Sequence, residues 1–158
     1  MRKRIISRGS PESLKPEPDW LDLERLAQVE VTSEDAAHPI EAALVPGAGS
    51  GWRAAEAGEQ TIRLLFDEPQ RIRRIRLRFR EESGRARTQE FVLRWSAGGG
   101  QPYREILRQQ YNFSPPAVTS EVEDYGVNLD GVAGLEMAVI PDISGGDAPA
   151  SLEQMRLA

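Results

Sequence analysis

The chain of 158 residues has no cysteine and a single histidine, His38. The missing thiols exclude disulfides and thiolate metal sites. With one imidazole a zinc site of several histidines is excluded, and any Ser-His-Asp arrangement would have to be built on His38. No G-x-S-x-G elbow, phosphate-binding loop or dinucleotide fingerprint occurs. Aromatic residues make up only 6% of the chain, so most of the core must be Leu, Ile and Val. No stretch approaches the ~20 apolar residues that span a bilayer. The basic start Met1-Arg2-Lys3-Arg4 leads only to Ile5 and Ile6, short of the ~7–15 apolar residues of a secretory leader, so a cytoplasmic protein is expected. A net charge of −5 gives no general pull toward nucleic acid or anionic membrane, and neither is expected as a partner.

What is present is alternation. In residues 74–80 (RIRLRFR), Ile75, Leu77 and Phe79 share one face and Arg74, Arg76, Arg78 and Arg80 the other. A period of two is the mark of a strand with one buried and one wet face. Residues 61–66 (TIRLLF) repeat it through Ile62, Leu64 and Phe66. With Asp67-Glu68-Pro69-Gln70 between them, the two runs predict neighbouring antiparallel strands joined by a turn.

Further strands are predicted over residues 29–32, 89–96 (Phe91, Leu93 and Trp95 inward), 121–129, 135–140 and 152–157, with Asp130-Gly131 splitting the third from the fourth of these. Residues 103–109 read as a strand or a helical turn. Residues 19–27 read as a short helix, through Trp20, Leu23 and Leu26, or as an irregular lead-in. Residues 38–44 suit one or two helical turns, and residues 81–85 form a turn too polar to be buried. Residues 1–18, with charges, Ser and three prolines, read as a mobile tail before one domain over 19–158. About eight short antiparallel strands with regular turn signals, and no long amphipathic helix between them, predict an all-β jelly-roll sandwich.

The order of segments carries a resemblance. Val31-Thr32-Ser33-Glu34-Asp35, then His38-Pro39-Ile40-Glu41-Ala42-Ala43-Leu44, then Gly51-Trp52-Arg53-Ala54, resembles the opening of galactose-binding-like β-sandwiches, the discoidin group. The similarity runs on through Gln60-Thr61-Ile62-Arg63-Leu64-Leu65-Phe66 and Phe91-Val92-Leu93-Arg94-Trp95-Ser96 to about residue 157. Within that group, Trp52-Arg53-Ala54-Ala55, Ala57-Gly58-Glu59, Ser96-Ala97-Gly98-Gly99 and Phe113-Ser114-Pro115 are similar to the amino-terminal domain of the animal single-strand-break-repair scaffold. The resemblance implies a galactose-binding-like jelly roll without catalysis, carrying carbohydrate or, as the scaffold does, a protein partner. It also implies a Trp52 packed beneath its loop, and it allows a structural calcium held by loop oxygens from Asp35, Asp142 and Asp147.

The residues themselves leave alternatives. His38 before Pro39 is a turn residue or a ligand contact. Trp52 beside Arg53, after a glycine-rich loop, could stack on a sugar ring or lie in the core. Tyr111, Asn112 and Phe113 precede two prolines and are expected on an exposed rim. The four arginines of residues 74–80 form a possible partner face, or pair across strands with Glu90, Glu121 or Glu123. Nothing marks a pair of catalytic carboxylates. The prediction is a non-catalytic module that binds its ligand through loops 33–38, 49–53, 111–114 and 142–147, the resemblance implying that this ligand is a carbohydrate. The alternative is a scaffold domain recruiting a protein through a sheet face or edge.

Overall fold

The computed structural model describes residues 1–3 and 17–158; most of the expected tail, with Arg4 and Arg8, lies outside the described residues. The elements are α1 (Leu23–Leu26), β1 (Ala27–Val31), α2 (Glu41–Leu44), β2 (Trp52–Ala57), β3 (Gln60–Arg80), β4 (Arg87–Ser96), β5 (Arg104–Phe113), β6 (Ser120–Ile140), β7 (Pro149–Leu152) and β8 (Gln154–Leu157). The eight antiparallel strands make the expected all-β sandwich.

The expected hairpin over residues 61–80 is instead one strand. The first half of β3 pairs with β1 and the second half of β6; its second half pairs with β8 and the first half of β6. One layer is therefore β1, β3, β6, β4 and β5, and the other is made where the same β3 and β6 continue beside β8. Asp67, Glu68 and Pro69 are exposed where β3 passes between layers. Asp130-Gly131 likewise does not break β6. Gly131, at φ +69°, takes the left-handed conformation that the irregular register there requires.

Inward residues change phase along β3, from even numbers (Ile62, Leu64, Phe66, Ile72) to odd (Ile75, Leu77, Phe79). A bulge makes the switch: the N–H groups of Arg73 and Arg74 both donate to the Ala158 carbonyl, at 2.6 and 2.8 Å. Ile75, Leu77 and Phe79 are fully buried, and their arginine neighbours face outward, as the alternation predicts. Phe79 meets Phe91 of the opposite layer, ring centroids 5.2 Å apart.

Residues 104–109 join strand β5, and the last predicted strand is two, β7 and β8, separated at Glu153. Strand β2, which the sequence reading did not assign, pairs with β7. Across the outside of the larger layer runs a charge ladder. Arg63 bonds Glu30 (3.1 Å) and Glu136 (2.7 Å), and Glu136 bonds Arg94 (3.1 Å).

Candidate functional site

The loops at one end of the sandwich are tied together in series. After β1, the Ser33 hydroxyl donates to Gln60 Oε1 (2.7 Å) and accepts from the Ala55 N–H, while the Ser33 carbonyl accepts from Trp52 Nε1 at 3.0 Å. The next residues close a small turn. His38 N donates to the Asp35 carbonyl, and His38 Nδ1 lies 3.3 Å from Asp35 Oδ2. The Ala37 N–H, then His38, hold the Asp35 carboxyl below its ordinary range. Backbone bonds from Asp35 N to the Arg53 carbonyl and from Arg53 N to the His38 carbonyl fix the turn against β2.

These ties put His38 and Arg53 on the wall of a cleft of about 260 Å³, facing Arg80, Glu82 and Glu153, with Trp52 beneath. Arg53 pairs with Glu82 at 2.9 Å, and Arg80 with Glu153 at 3.0 Å. Gly51 makes the wall possible. At φ +117° a Cβ there would lie 2.8 Å from the Leu152 carbonyl oxygen and 2.9 Å from the Glu153 Cα. Gly51→Ala is expected to lower stability by about 1–3 kcal/mol through strain and overpacking. The check is the urea midpoint, with the resonances of residues 151–153 reporting the displaced wall.

Behind the cleft is a buried ion pair. The side chains of Arg87 and Glu81 are 2% and 4% exposed. Arg87 Nε donates to Glu81 Oε1 (2.9 Å), its Nη1 to the Pro141 carbonyl (2.8 Å), and its guanidinium lies 4.4 Å from the centre of the Phe113 ring. Burial alone would raise the Glu81 carboxyl. Hydrogen bonds from Arg87, from the Ser83 hydroxyl and from the Gly84 N–H outweigh that and hold it below its usual value. The expectation that residues 81–85 are too polar to bury is thus corrected at Glu81. Arg87 also borders a second, shallower hollow that includes Thr88, Asn112 and Asp142.

Of the expected ligand residues, His38 and Arg53 reach the cleft. Trp52 does not present a face to it: the side chain is 1% exposed and belongs to the core, as the resemblance implied. The exposed rim at Tyr111, Asn112 and Phe113 is corrected in part. All three lie in β5, whose alternation carries Phe113 into the core at 1% exposure. Tyr111 is half-buried, edge-on to Phe113, and its hydroxyl donates to the Ser120 carbonyl. Asn112 is exposed and accepts from the Thr88 hydroxyl.

The arginine stripe divides. Arg74 holds Asp124 through two bonds (2.8 and 2.7 Å), and Arg76 adds a third at 3.1 Å. Arg74 and then Arg76 keep the Asp124 carboxyl below its ordinary value. Glu17 bonds Arg76, and the Trp20 ring lies 4.8 Å from the Arg76 guanidinium and 5.6 Å from that of Arg74. Arg78 is exposed, and Arg80 belongs to the cleft. The expected partners Glu121 and Glu123 are not used, because β3 and β6 register Phe79 against Glu121 and Leu77 against Glu123, which turns both carboxyls toward the core. Glu90 instead pairs with Arg108.

The calcium candidates are separately engaged: Asp35 with His38, Asp142 with the Ser144 N–H, and Asp147 with Arg85. Among the described residues no three side chains of His, Cys, Asp or Glu gather as a metal site. The sequence reading missed Glu81, Glu82, Arg87 and Glu153. The usable signal was the six-residue spacing of Glu81 and Arg87 around Gly84, which lets the chain turn back on itself.

This geometry is that of an antiparallel jelly-roll sandwich with a polar cleft among its end loops. No protein-family model matches the chain, and no curated protein matches it. Solved structures do. The family 32 carbohydrate-binding module of C. perfringens NanJ, solved in complex with galactose, is 12% identical with a TM-score of 0.65, covering 87% of this chain and 96% of that one. An F5/8 type C domain of a Bacteroides fragilis protein is 12% identical with a TM-score of 0.61 (87% and 93% covered). The family 32 module of AlyQ, in complex with 4,5-unsaturated mannuronic acid, is 13% identical with a TM-score of 0.59 (89% and 98% covered). At such identities the similarity is one of fold.

Proposed function

We propose that the protein is a non-catalytic carbohydrate-binding module and that the sugar sits in the cleft of His38, Arg53, Arg80, Glu82 and Glu153. The observation that carries this reading is the alternation of guanidinium and carboxylate groups around one small concavity at the loop end of this fold. A sugar hydroxyl both donates and accepts, so adjacent hydroxyls match adjacent acceptors and donors. Rigid strands position those groups and no bond chemistry is required. A similar structure solved with galactose supports the same class of ligand.

Because Trp52 is enclosed, stacking contributes little, and affinity is expected in the range of about 0.1–10 mM. Titration of the isotope-labelled protein with neutral hexoses, followed by NMR, tests the reading. Shifts should concentrate in residues 50–53, 80–83 and 151–153, and Arg53→Ala should weaken binding at least tenfold. A folded protein that responds to no sugar would sink it.

A second reading, the scaffold domain, has one observation in its favour. Val122, 57% exposed, stands opposite Arg78 on the outer face. It calls for a protein partner lost on Arg78→Glu, with the cleft indifferent to sugars.

A further inference from the structure

This inference rests on the sugar-binding reading of the cleft. We propose that the cleft selects an uncharged sugar over a uronate, and that Glu82 and Glu153 are the residues that impose the choice.

Every guanidinium on the cleft wall already faces a carboxylate: Arg53 with Glu82 at 2.9 Å, Arg80 with Glu153 at 3.0 Å, and the buried Arg87 with Glu81 at 2.9 Å. The imidazole of His38 is directed at Asp35. No cation on the wall is left to neutralise a ligand carboxylate. The negative charge at Glu153 is offset by little else: its Oε2 is enclosed and has no hydrogen-bond partner among the described residues. Its backbone is anchored by the Glu153 N–H, which donates to the Arg78 carbonyl at 2.8 Å.

A hydroxyl and a carboxylate meet this wall differently. A guanidinium carries five N–H donors in a fixed fork. The Arg53–Glu82 and Arg80–Glu153 contacts each engage one terminal nitrogen, which leaves donors on both forks for the lone pairs of a hydroxyl. The hydroxyl proton then has the exposed Glu82 carboxylate as acceptor. A uronate carboxylate brings no proton. It would compete with Glu82 and Glu153 for the same two forks and be repelled by both at short range, where like charges interact most strongly.

The test uses matched sugars. Methyl glycosides of galactose, glucose and mannose are titrated beside the corresponding methyl glycosiduronates, which differ only by the carboxylate at C6. The wild-type chain should bind at least one neutral glycoside tenfold or more tightly than its uronate. Glu82→Gln frees Arg53 and Glu153→Gln frees Arg80, so each variant should move the neutral-to-uronate ratio at least fivefold toward the uronate. Glu82 is 49% exposed on a turn, so its variant remains informative if Glu153→Gln does not fold. A wild-type chain that binds a uronate as tightly as its neutral partner overturns the inference and leaves the sugar-binding reading standing, as does an unchanged ratio in the variants. If neither series perturbs the cleft, both readings fall together.

Discussion

Arg87→Met is expected to destabilise the fold by about 3–5 kcal/mol, because it removes one partner of a buried ion pair and leaves the other charge enclosed. The Glu81 carboxylate would lose its main partner, and the Pro141 carbonyl and the Phe113 ring would lose the guanidinium between them. Arg87 ties Glu81 to the Pro141 carbonyl behind the cleft, so the sugar response should weaken with its loss. Urea unfolding gives the energy. Adding Glu81→Gln should restore a substantial part, because the enclosed charge is then gone. A single-variant loss below about 1 kcal/mol would mean that Arg87 does not hold this end together.

The second large effect is on pH. Glu121 is 2% exposed, and burial, then hydrogen bonding to and repulsion by Glu123, push its carboxyl from 4.5 up to about 8. Gln89 Nε2 donates to Glu121 Oε1, which opposes the rise, as does the nearby Arg87 charge. Tyr125, beside Glu123, is raised as well, by burial first. The folded protein therefore keeps a proton that the unfolded chain releases above pH 4.5. Stability from this group is complete below about pH 4.5 and declines as pH rises toward about 8, by on the order of 3–5 kcal/mol in all. Glu81 and Asp124 act oppositely: their lowered carboxyls add stability above the ordinary carboxylate range, lost as pH falls through their folded values. Glu121→Gln should flatten the alkaline decline and make the protein more stable than wild type at pH 8. Denaturant midpoints between pH 5 and 9 measure both; a slope unchanged in the variant would refute the assignment.

Much of the fold was legible because its strands are two-faced. Ile75, Leu77 and Phe79 alternate with arginines, and Phe91 and Leu93 with Glu90 and Arg94, so period alone assigned the buried face. Connectivity was harder. Asp67-Glu68-Pro69-Gln70 has the composition of a turn, yet an exposed crossing between layers favours the same polar residues. The bulge at Arg73 and Arg74 depends on the Ala158 carbonyl, which local sequence cannot show. The site was half legible. His38 and Arg53 stood out, whereas the Glu81–Arg87 pair was hidden because charged residues are rarely enclosed. Phe113 was misplaced because the prolines after it suggested an irregular rim, although β5 still alternates up to that residue.

The pairing of β3 with β6 along nearly their whole lengths also governs how the chain is assembled on the ribosome. Residues 60–66 can find β1 as soon as they emerge, but residues 74–80 have no neighbour until residues 120–126 are made, and the flank taken by β8 stays open until Leu157. Such distant pairing slows the search for the native arrangement. The nascent chain thus carries Ile75, Leu77 and Phe79 uncovered until residues 120–126 follow, with the arginines between them as its guard against premature association.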